Sequence, residues 1–127
     1  MSVHIAFETP KDVQDQVYNL VKLVADPDKD NGRLKKGSNE VTKAAERGTA
    51  KMVVMAENVN PAELLAHIPL ICKEKSIPFI YVEDQTYLAE AAGMNTGAKT
   101  AAIALMEIAK GAEEAFNGVK GHTDDLN

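Results

Sequence analysis

The amino-acid sequence predicts one α/β domain built around a partly parallel sheet. Short apolar runs of strand length alternate along the chain with segments whose apolar residues recur every three or four positions, as on one face of a helix. The chain has 127 residues, of which 45% are hydrophobic and 26% charged, and this is enough for one buried core without disulfides. We therefore expect residues 1–127 to form a single domain.

The first elements are a β-prone run over residues 3–7 and a helix after it. Thr9 is predicted to cap this helix, with Pro10 at its first position. Residues 26–32 (DPDKDNG) predict a turn-rich loop, and residues 33–36 a short strand. The helical spacing of the apolar residues predicts a buried face that carries Val13, Val17, Leu20, Val21 and Val24.

A second helix is predicted over residues 39–47, with Ser38 as its N-cap and Gly48 as its stop. The continuous apolar run MVVMA, residues 52–56, is typical of a strand that is covered on both faces.

The second half of the chain continues the alternation. Pro61 predicts the start of a helix, and Pro69 the start of another helix or a kink in it. We expect the polar residues 118–127 to fray. The other predicted elements are, in chain order, a strand over 78–82 (PFIYV), a helix over 86–92, a strand over 100–106 and a helix over 107–117.

Charge is distributed unevenly over the chain. The net charge is −5, but residues 33–51 carry six Lys or Arg side chains against two Glu, which is +4. The acidic remainder argues against unspecific nucleic-acid binding, whereas a local basic patch can meet a phosphate backbone.

Other candidate chemistry is weak. Residues 93–100 (GMNTGAKT) are similar to a phosphate-binding loop, but Ala98 stands where the motif needs its second Gly, and a strand follows where a helix should begin. The three histidines are widely separated, and the adjacent acidic pairs 83–84 and 113–114 do not face each other on a helix. Cys72 lies among apolar residues and is expected to be buried. We predict no catalytic residue, cofactor or metal site.

Location follows from what the sequence lacks. We find no apolar run long enough for a membrane helix and no signal peptide, and a single cysteine fits a reducing compartment. We expect a cytoplasmic protein without membrane contact.

The most informative segment is RLKKGSNEVTKAAERG, residues 33–48. On a helix, Asn39, Lys43 and Arg47 form one polar stripe, with Glu40 beside them. The helix start offers N–H groups suited to phosphate, while Asn and Glu side chains can hydrogen-bond base edges. Glu40 is out of place in a patch that binds only phosphate, which favours base reading. The residues alone equally allow an ordinary amphipathic surface helix.

The run KKGSNEVTKAAERG, with the MVVMA and PFIYV segments, resembles the ribosomal protein L7Ae family, especially its archaeal members. The resemblance covers about residues 35–105. It implies a three-layer α/β/α sandwich with a mixed central sheet and no enzymatic activity. The implied partner is kink-turn or kink-loop RNA. Such RNA belongs to the large ribosomal subunit, box C/D and H/ACA guide ribonucleoproteins and ribonuclease P, whose proteins are further implied partners.

By the same resemblance, Asn39, Glu40 and Lys43 read the two guanines of tandem sheared G·A pairs. A sheared pair leaves guanine O6 and N1–H free, so Asn39 and Lys43 can donate to O6 and Glu40 can accept from N1–H. The implied backbone contacts are Lys36, Gly37 and Arg47. The resemblance also implies a second-contact loop over a flipped-out nucleotide, formed by Met94, Asn95, Thr96, Gly97 and Ala98.

The sequence departs from the family pattern in four places. Two departures bear on RNA affinity and two on the fold. The two that bear on affinity are Asp84-Gln85 behind Glu83, where the family has Ser-Lys, and Met94 and Gly97, where it has a branched apolar residue and a Pro. The two that bear on the fold are Ala89, where the family has a Gly, and the long loop 26–32.

Two other function classes stay open at this point. One is an acidic protein-interaction module on the same fold, with weakened RNA binding. The other is a small nucleotide-binding enzyme built on residues 93–100. We expect the free protein to be a monomer.

Overall fold

The computed structural model describes residues 9–26, 32–58, 65–95 and 97–126. The predicted strand over 3–7, the helix start at Pro61 and most of the loop 26–32 lie outside these residues. The described elements are α1 (Lys11–Ala25), β1 (Arg33–Lys36), α2 (Ser38–Glu46), β2 (Met52–Ala56), α3 (Ile68–Lys75), β3 (Phe79–Val82), α4 (Gln85–Ala91), β4 (Ala102–Glu107) and α5 (Glu113–Leu126).

The described strands form one mixed sheet in the order β1-β4-β2-β3. Strands β2 and β3 are parallel, whereas β4 runs antiparallel to both β2 and β1. Every residue of β2 and β3 is buried, as in a sheet with helices on both faces. Helix α1 contacts α4 and α5, while α2 contacts α3. The predicted three-layer α/β/α architecture is therefore confirmed.

Helix α1 confirms the predicted periodicity. Val17, Leu20 and Val21 are fully buried, and Val13 and Val24 are nearly so. Burial of each such side chain stabilises the folded protein by roughly 1.5–3 kcal/mol. The apolar stripe therefore fixes the helix against the sheet.

The sheet topology brings four chain segments to one edge. The parallel strands β2 and β3 end there, the antiparallel strand β4 begins there, and β1 ends there. The turn into α2 and the loops after β2, after β3 and before β4 are therefore neighbours, although they are distant in sequence.

Both predicted N-caps are wrong. Helix α1 begins at Lys11, immediately after Pro10, and neither Pro10 nor Thr9 supplies a side-chain cap. Helix α2 begins at Ser38, which is its first residue, and Gly37 takes the cap position. The backbone angles of these two residues determine where the helices begin: the fixed φ of Pro10 for α1 and the positive φ of Gly37 for α2. No side-chain oxygen caps either helix.

The prediction for the last helix is also wrong. Glu107 ends β4, and α5 runs over Glu113–Leu126, where the sequence predicted a helix over 107–117 and a frayed tail. Two glycines in the tail disfavour a helix by intrinsic propensity. Val119 and Thr123, one turn apart, are 1% exposed, so tertiary packing overrides that propensity.

Candidate functional site

Helix α2 presents the predicted polar stripe to solvent. Asn39, Glu40 and Lys43 are exposed, and so is Arg47, which follows the last helical residue. The opposite face is buried and consists of Val41, Ala44 and Ala45. Because packing fixes this face, the stripe has a defined position on the protein surface.

The turn into α2 is fixed by backbone hydrogen bonds on both sides. The N–H of Gly37 donates to the carbonyl of Ala102 at 3.0 Å, and its own carbonyl accepts from the N–H of Val41 at 3.0 Å. Gly37 has φ 95° and ψ 148°, a region that is essentially restricted to glycine. Apart from Gly37 and its two chain neighbours, no described residue has an atom within 4 Å of where a Cβ would stand, so it is the backbone angle that requires the glycine, and the space beside it is open.

Glu40 and Lys43 form an ion pair with 3.8 Å between Oε1 and Nζ. Their side chains are 51% and 58% exposed, so water screens the pair and it contributes little to stability. Both groups can therefore exchange this contact for hydrogen bonds to a ligand.

The residues of the predicted stripe lie at two different distances from the start of α2. Asn39 and Lys43 lie within one turn of each other, next to Gly37. Arg47 lies eight residues beyond Asn39, about 12 Å along the helix axis. A ligand must extend along α2 to reach all three side chains.

The predicted second-contact loop lies between α4 and β4. The N–H of Met94 donates to the carbonyl of Ala89, and the N–H of Ala98 donates to the carbonyl of Asn95, each at 3.0 Å. Met94 and Ala98 are half-buried, whereas Asn95 and Gly97 are exposed. Thr96 lies outside the described residues. The loop therefore presents the partly exposed apolar side chains of Met94 and Ala98 beside the exposed Asn95.

A set of hydrogen bonds, which we call the Asn58 clamp (Asn58, Asp84, Gln85 and Thr100), joins three of the segments at this edge. The N–H of Gln85 donates to Asn58 Oδ1 at 2.8 Å, and Gln85 Nε2 donates to the Asn58 carbonyl at 3.2 Å. Asn58 Nδ2 donates to Asp84 Oδ1 at 3.3 Å. The N–H of Thr100 donates to the Gln85 carbonyl at 3.2 Å. The clamp therefore fixes the end of the second-contact loop.

Neither Asn58 nor the structural role of Asp84 was predicted from the sequence. The Asp84 carboxylate caps α4 by accepting from the N–H of Thr86 at 2.9 Å. An Asp before a helix is a recognisable cap signal. The role of Asn58 has no local signal, because it depends on β2 and β3 ending side by side.

The two candidate regions are neighbours. Strands β1 and β4 pair so that Lys36 lies opposite Ile103, and Gly37 bonds to Ala102. Lys36 is exposed at this point. The structure thus brings the α2 start and the second-contact loop, about 60 residues apart in the chain, to one surface.

The structure also describes most of the other groups that the sequence raised as candidates. Cys72 is buried, as predicted, and burial raises the pKa of its thiol to about 12, so it is a poor nucleophile. Residues 93–100 stand between a helix and a strand, unlike a phosphate-binding loop. The described ranges contain no cluster of three or more His, Cys, Asp or Glu suited to a metal ion, and no helix in them is long and apolar enough to cross a membrane.

Fold and site together define a small α/β protein whose candidate interface is a polar helix start beside a loop. The chain belongs to the ribosomal protein L7Ae/L30e/S12e/Gadd45 family, whose model matches residues 15–113. Among solved structures it is similar to the 15.5kD RNA binding protein of Giardia lamblia, with 25% sequence identity. The match covers 100% of both chains with a TM-score of 0.82. The family resemblance in the sequence is thereby confirmed.

Proposed function

We propose that the protein binds kink-turn RNA, stabilises the kink and nucleates the assembly of ribonucleoproteins. The observation that carries the proposal is the shared surface of the α2 stripe and the second-contact loop. Family membership and the similarity to an RNA-binding protein support RNA as the ligand. The role is structural and needs no catalytic group.

The α2 stripe supplies the base-reading step. Asn39 and Lys43 offer donors and Glu40 offers an acceptor, all exposed within one helical turn. This combination matches the free O6 and N1–H of a sheared guanine. An A-form duplex hides these atoms in a deep, narrow major groove, so the match requires a kinked internal loop.

The α2 start supplies the electrostatic step. Its free N–H groups and positive dipole end favour a phosphate, and Lys36 stands beside them. The open space at Gly37 lets an RNA backbone approach closely. Arg47 is placed to contact phosphate only if the RNA continues along α2.

The second-contact loop supplies an apolar surface for an unstacked base. Met94 and Ala98 are half-buried, so a base that covers them removes their remaining exposed apolar area from water. Unstacked bases occur in kinked loops and not in regular duplexes.

Within this proposal the RNA targets are the kink-turns of large-subunit ribosomal RNA, of box C/D and H/ACA guide RNAs and of ribonuclease P RNA. The protein would occupy these particles in the cytoplasm as a monomer that meets other ribonucleoprotein proteins there. All of these sites present the same tandem G·A geometry, so one interface can serve them.

A gel-shift experiment tests the proposal. The probe is a standard kink-turn RNA, and its control is the same RNA with the G·A pairs replaced by Watson–Crick pairs. We expect a shift at low protein concentration with the first RNA only. Equal affinity for both RNAs, or no shift with either, would refute the proposal, and the second result would favour the acidic protein-interaction module.

A further inference from the structure

The three segments that meet at the second-contact loop carry several acidic side chains and, among the residues that the structure describes, one basic side chain. The segments that meet here are 57–58, 83–85 and 93–101. Among their described residues, the acidic side chains are Glu57, Glu83 and Asp84, and the only basic one is Lys99. An RNA strand that crosses this surface meets repulsion from the carboxylates, so a cation here has a large influence on binding.

Lys99 is exposed, and it makes no ion pair with any residue that the structure describes. Its charge is therefore not neutralised within the described parts of the chain. By contrast, Lys43 is paired with Glu40, and Arg33 with Glu107.

The backbone beside Lys99 is firmly held. Thr100 is 4% exposed, its N–H donates to the Gln85 carbonyl at 3.2 Å, and its hydroxyl donates to the Ala102 carbonyl at 3.0 Å. The Gln85 peptide is in turn held by Asn58. The Asn58 clamp therefore fixes the point from which the Lys99 side chain starts, so less backbone freedom is lost on binding.

Lys99 is also close to the α2 start. It stands three positions before Ala102, so the two Cα atoms are at most about 11 Å apart. The Ala102 carbonyl accepts from the N–H of Gly37 at 3.0 Å. One folded RNA can therefore span both points.

We propose that Lys99 is a phosphate-binding residue that anchors the RNA backbone at the second-contact loop, and that the Asn58 clamp positions it. This inference rests on the proposed function and adds a binding point to it. The second contact then combines an apolar surface for a base with a single cation for the adjoining phosphate. That cation lies beside carboxylates of the neighbouring segments, which disfavour RNA backbones in other positions.

The test measures Kd for the kink-turn RNA between 50 and 200 mM salt. Each phosphate contact contributes about 0.7–0.9 to the slope of log Kd against log salt. We expect Lys99→Gln to lower the slope by this amount. The ratio of the variant Kd to the wild-type Kd should then fall about threefold between the lowest and the highest salt concentration. Lys99→Arg keeps the wild-type slope, because it keeps the charge.

Lys110 provides the matched control. It is exposed, it makes no ion pair with a described residue, and it follows the opposite end of β4. Lys110→Gln removes the same charge from the chain and should leave the slope unchanged. If Lys99→Gln and Lys110→Gln behave alike, the inference is wrong.

The RNA without G·A pairs separates this inference from the proposed function. Wild-type protein that binds both RNAs alike overturns the proposed function, and the inference with it. Wild-type protein that discriminates between them, while Lys99→Gln keeps the full slope, overturns the inference alone.

Asn58→Ala tests the positioning role of the clamp. We expect it to lower the salt slope, and the double variant with Lys99→Gln to lose no more slope than Lys99→Gln alone. A melting curve shows whether the variant is folded. A folded Asn58→Ala protein with a weaker Kd and an unchanged slope would show that the clamp supports the loop without positioning Lys99.

Discussion

The α2 stripe and the second-contact loop share one surface but are positioned by different physics. The stripe lies on a helix whose other face, with Val41 and Ala45 fully buried, packs in the core. The loop is held by a few hydrogen bonds, at Met94, Ala98 and Thr100. A packed helix face resists distortion, whereas a loop with small side chains adapts to its ligand.

Under the proposed function, this difference predicts different roles for the two regions. Base reading needs donors and acceptors at fixed positions, which the helix provides. The loop is expected to adjust affinity, since its contribution depends on how much order it gains on binding. Substitutions of the base-reading residues Asn39, Glu40 and Lys43 should therefore change specificity, and substitutions in the loop should change affinity across all kinked RNAs.

The largest effect on stability is expected for Gly37→Ala. The backbone angles at this position are essentially restricted to glycine, so the substitution should lower the free energy of unfolding by about 1–3 kcal/mol. Hydrogen bonds to Ala102 and Val41 keep the turn from relaxing. Gly97→Ala, also at positive φ but in the loop, should destabilise less. Urea denaturation of both variants checks this, and equal losses would contradict the contrast.

Glu40→Ala tests base reading on the helix. We expect kink-turn binding to weaken by about 1–3 kcal/mol, because an acceptor for guanine N1–H is lost. The loss should be confined to RNAs with the G·A pairs. Glu46→Ala, which removes an exposed carboxylate from the last turn of the same helix, is the control. If binding to unkinked duplex RNA falls equally, Glu40 does not read a base.

Lys36→Ala tests the electrostatic part of the α2 start. Binding should weaken for every RNA, and the salt slope should fall by about one unit, as expected for one phosphate contact. Titrations of the kink-turn RNA and an unkinked duplex at several salt concentrations measure both effects. An unchanged slope would exclude a phosphate contact at Lys36.

The smallest effect is expected in the loop region, where Gln85→Lys with Met94→Ile should tighten kink-turn binding. The lysine adds a cation beside Glu83 and can still donate to the Asn58 carbonyl, as Gln85 does now. Its contribution should fade as salt rises. Isoleucine is stiffer than methionine and loses less side-chain entropy over a base, independently of salt.

The single and double variants, each titrated at low and high salt, separate these two contributions. If neither substitution improves affinity at any salt, the loop does not lie against RNA as the family resemblance implies.

The sequence predicts best what depends on local pattern. The buried strands β2 and β3 follow from continuous apolar runs, and the faces of α1 and α2 follow from helical spacing. The exposure of Asn39, Glu40 and Lys43 was predictable for the same reason.

The sequence predicts poorly what depends on tertiary contacts. Helix α5 extends to Leu126 because Val119 and Thr123 are buried, which its glycines do not suggest. The Asn58 clamp needs two strand ends to be neighbours. Ser38 is a good cap residue by type, yet the positive φ at Gly37 sets the start of α2. These contacts arise only once the sheet order is known.

The most direct test of the central claim is to measure the shape of the RNA. A kink-turn RNA labelled at its two ends with a donor and an acceptor dye, in buffer without magnesium, reports kinking as energy transfer. We predict that the protein raises the transfer to a plateau at one equivalent. The RNA without G·A pairs should stay at its starting value. Binding that leaves the transfer unchanged, or raises it equally in both RNAs, would contradict the account.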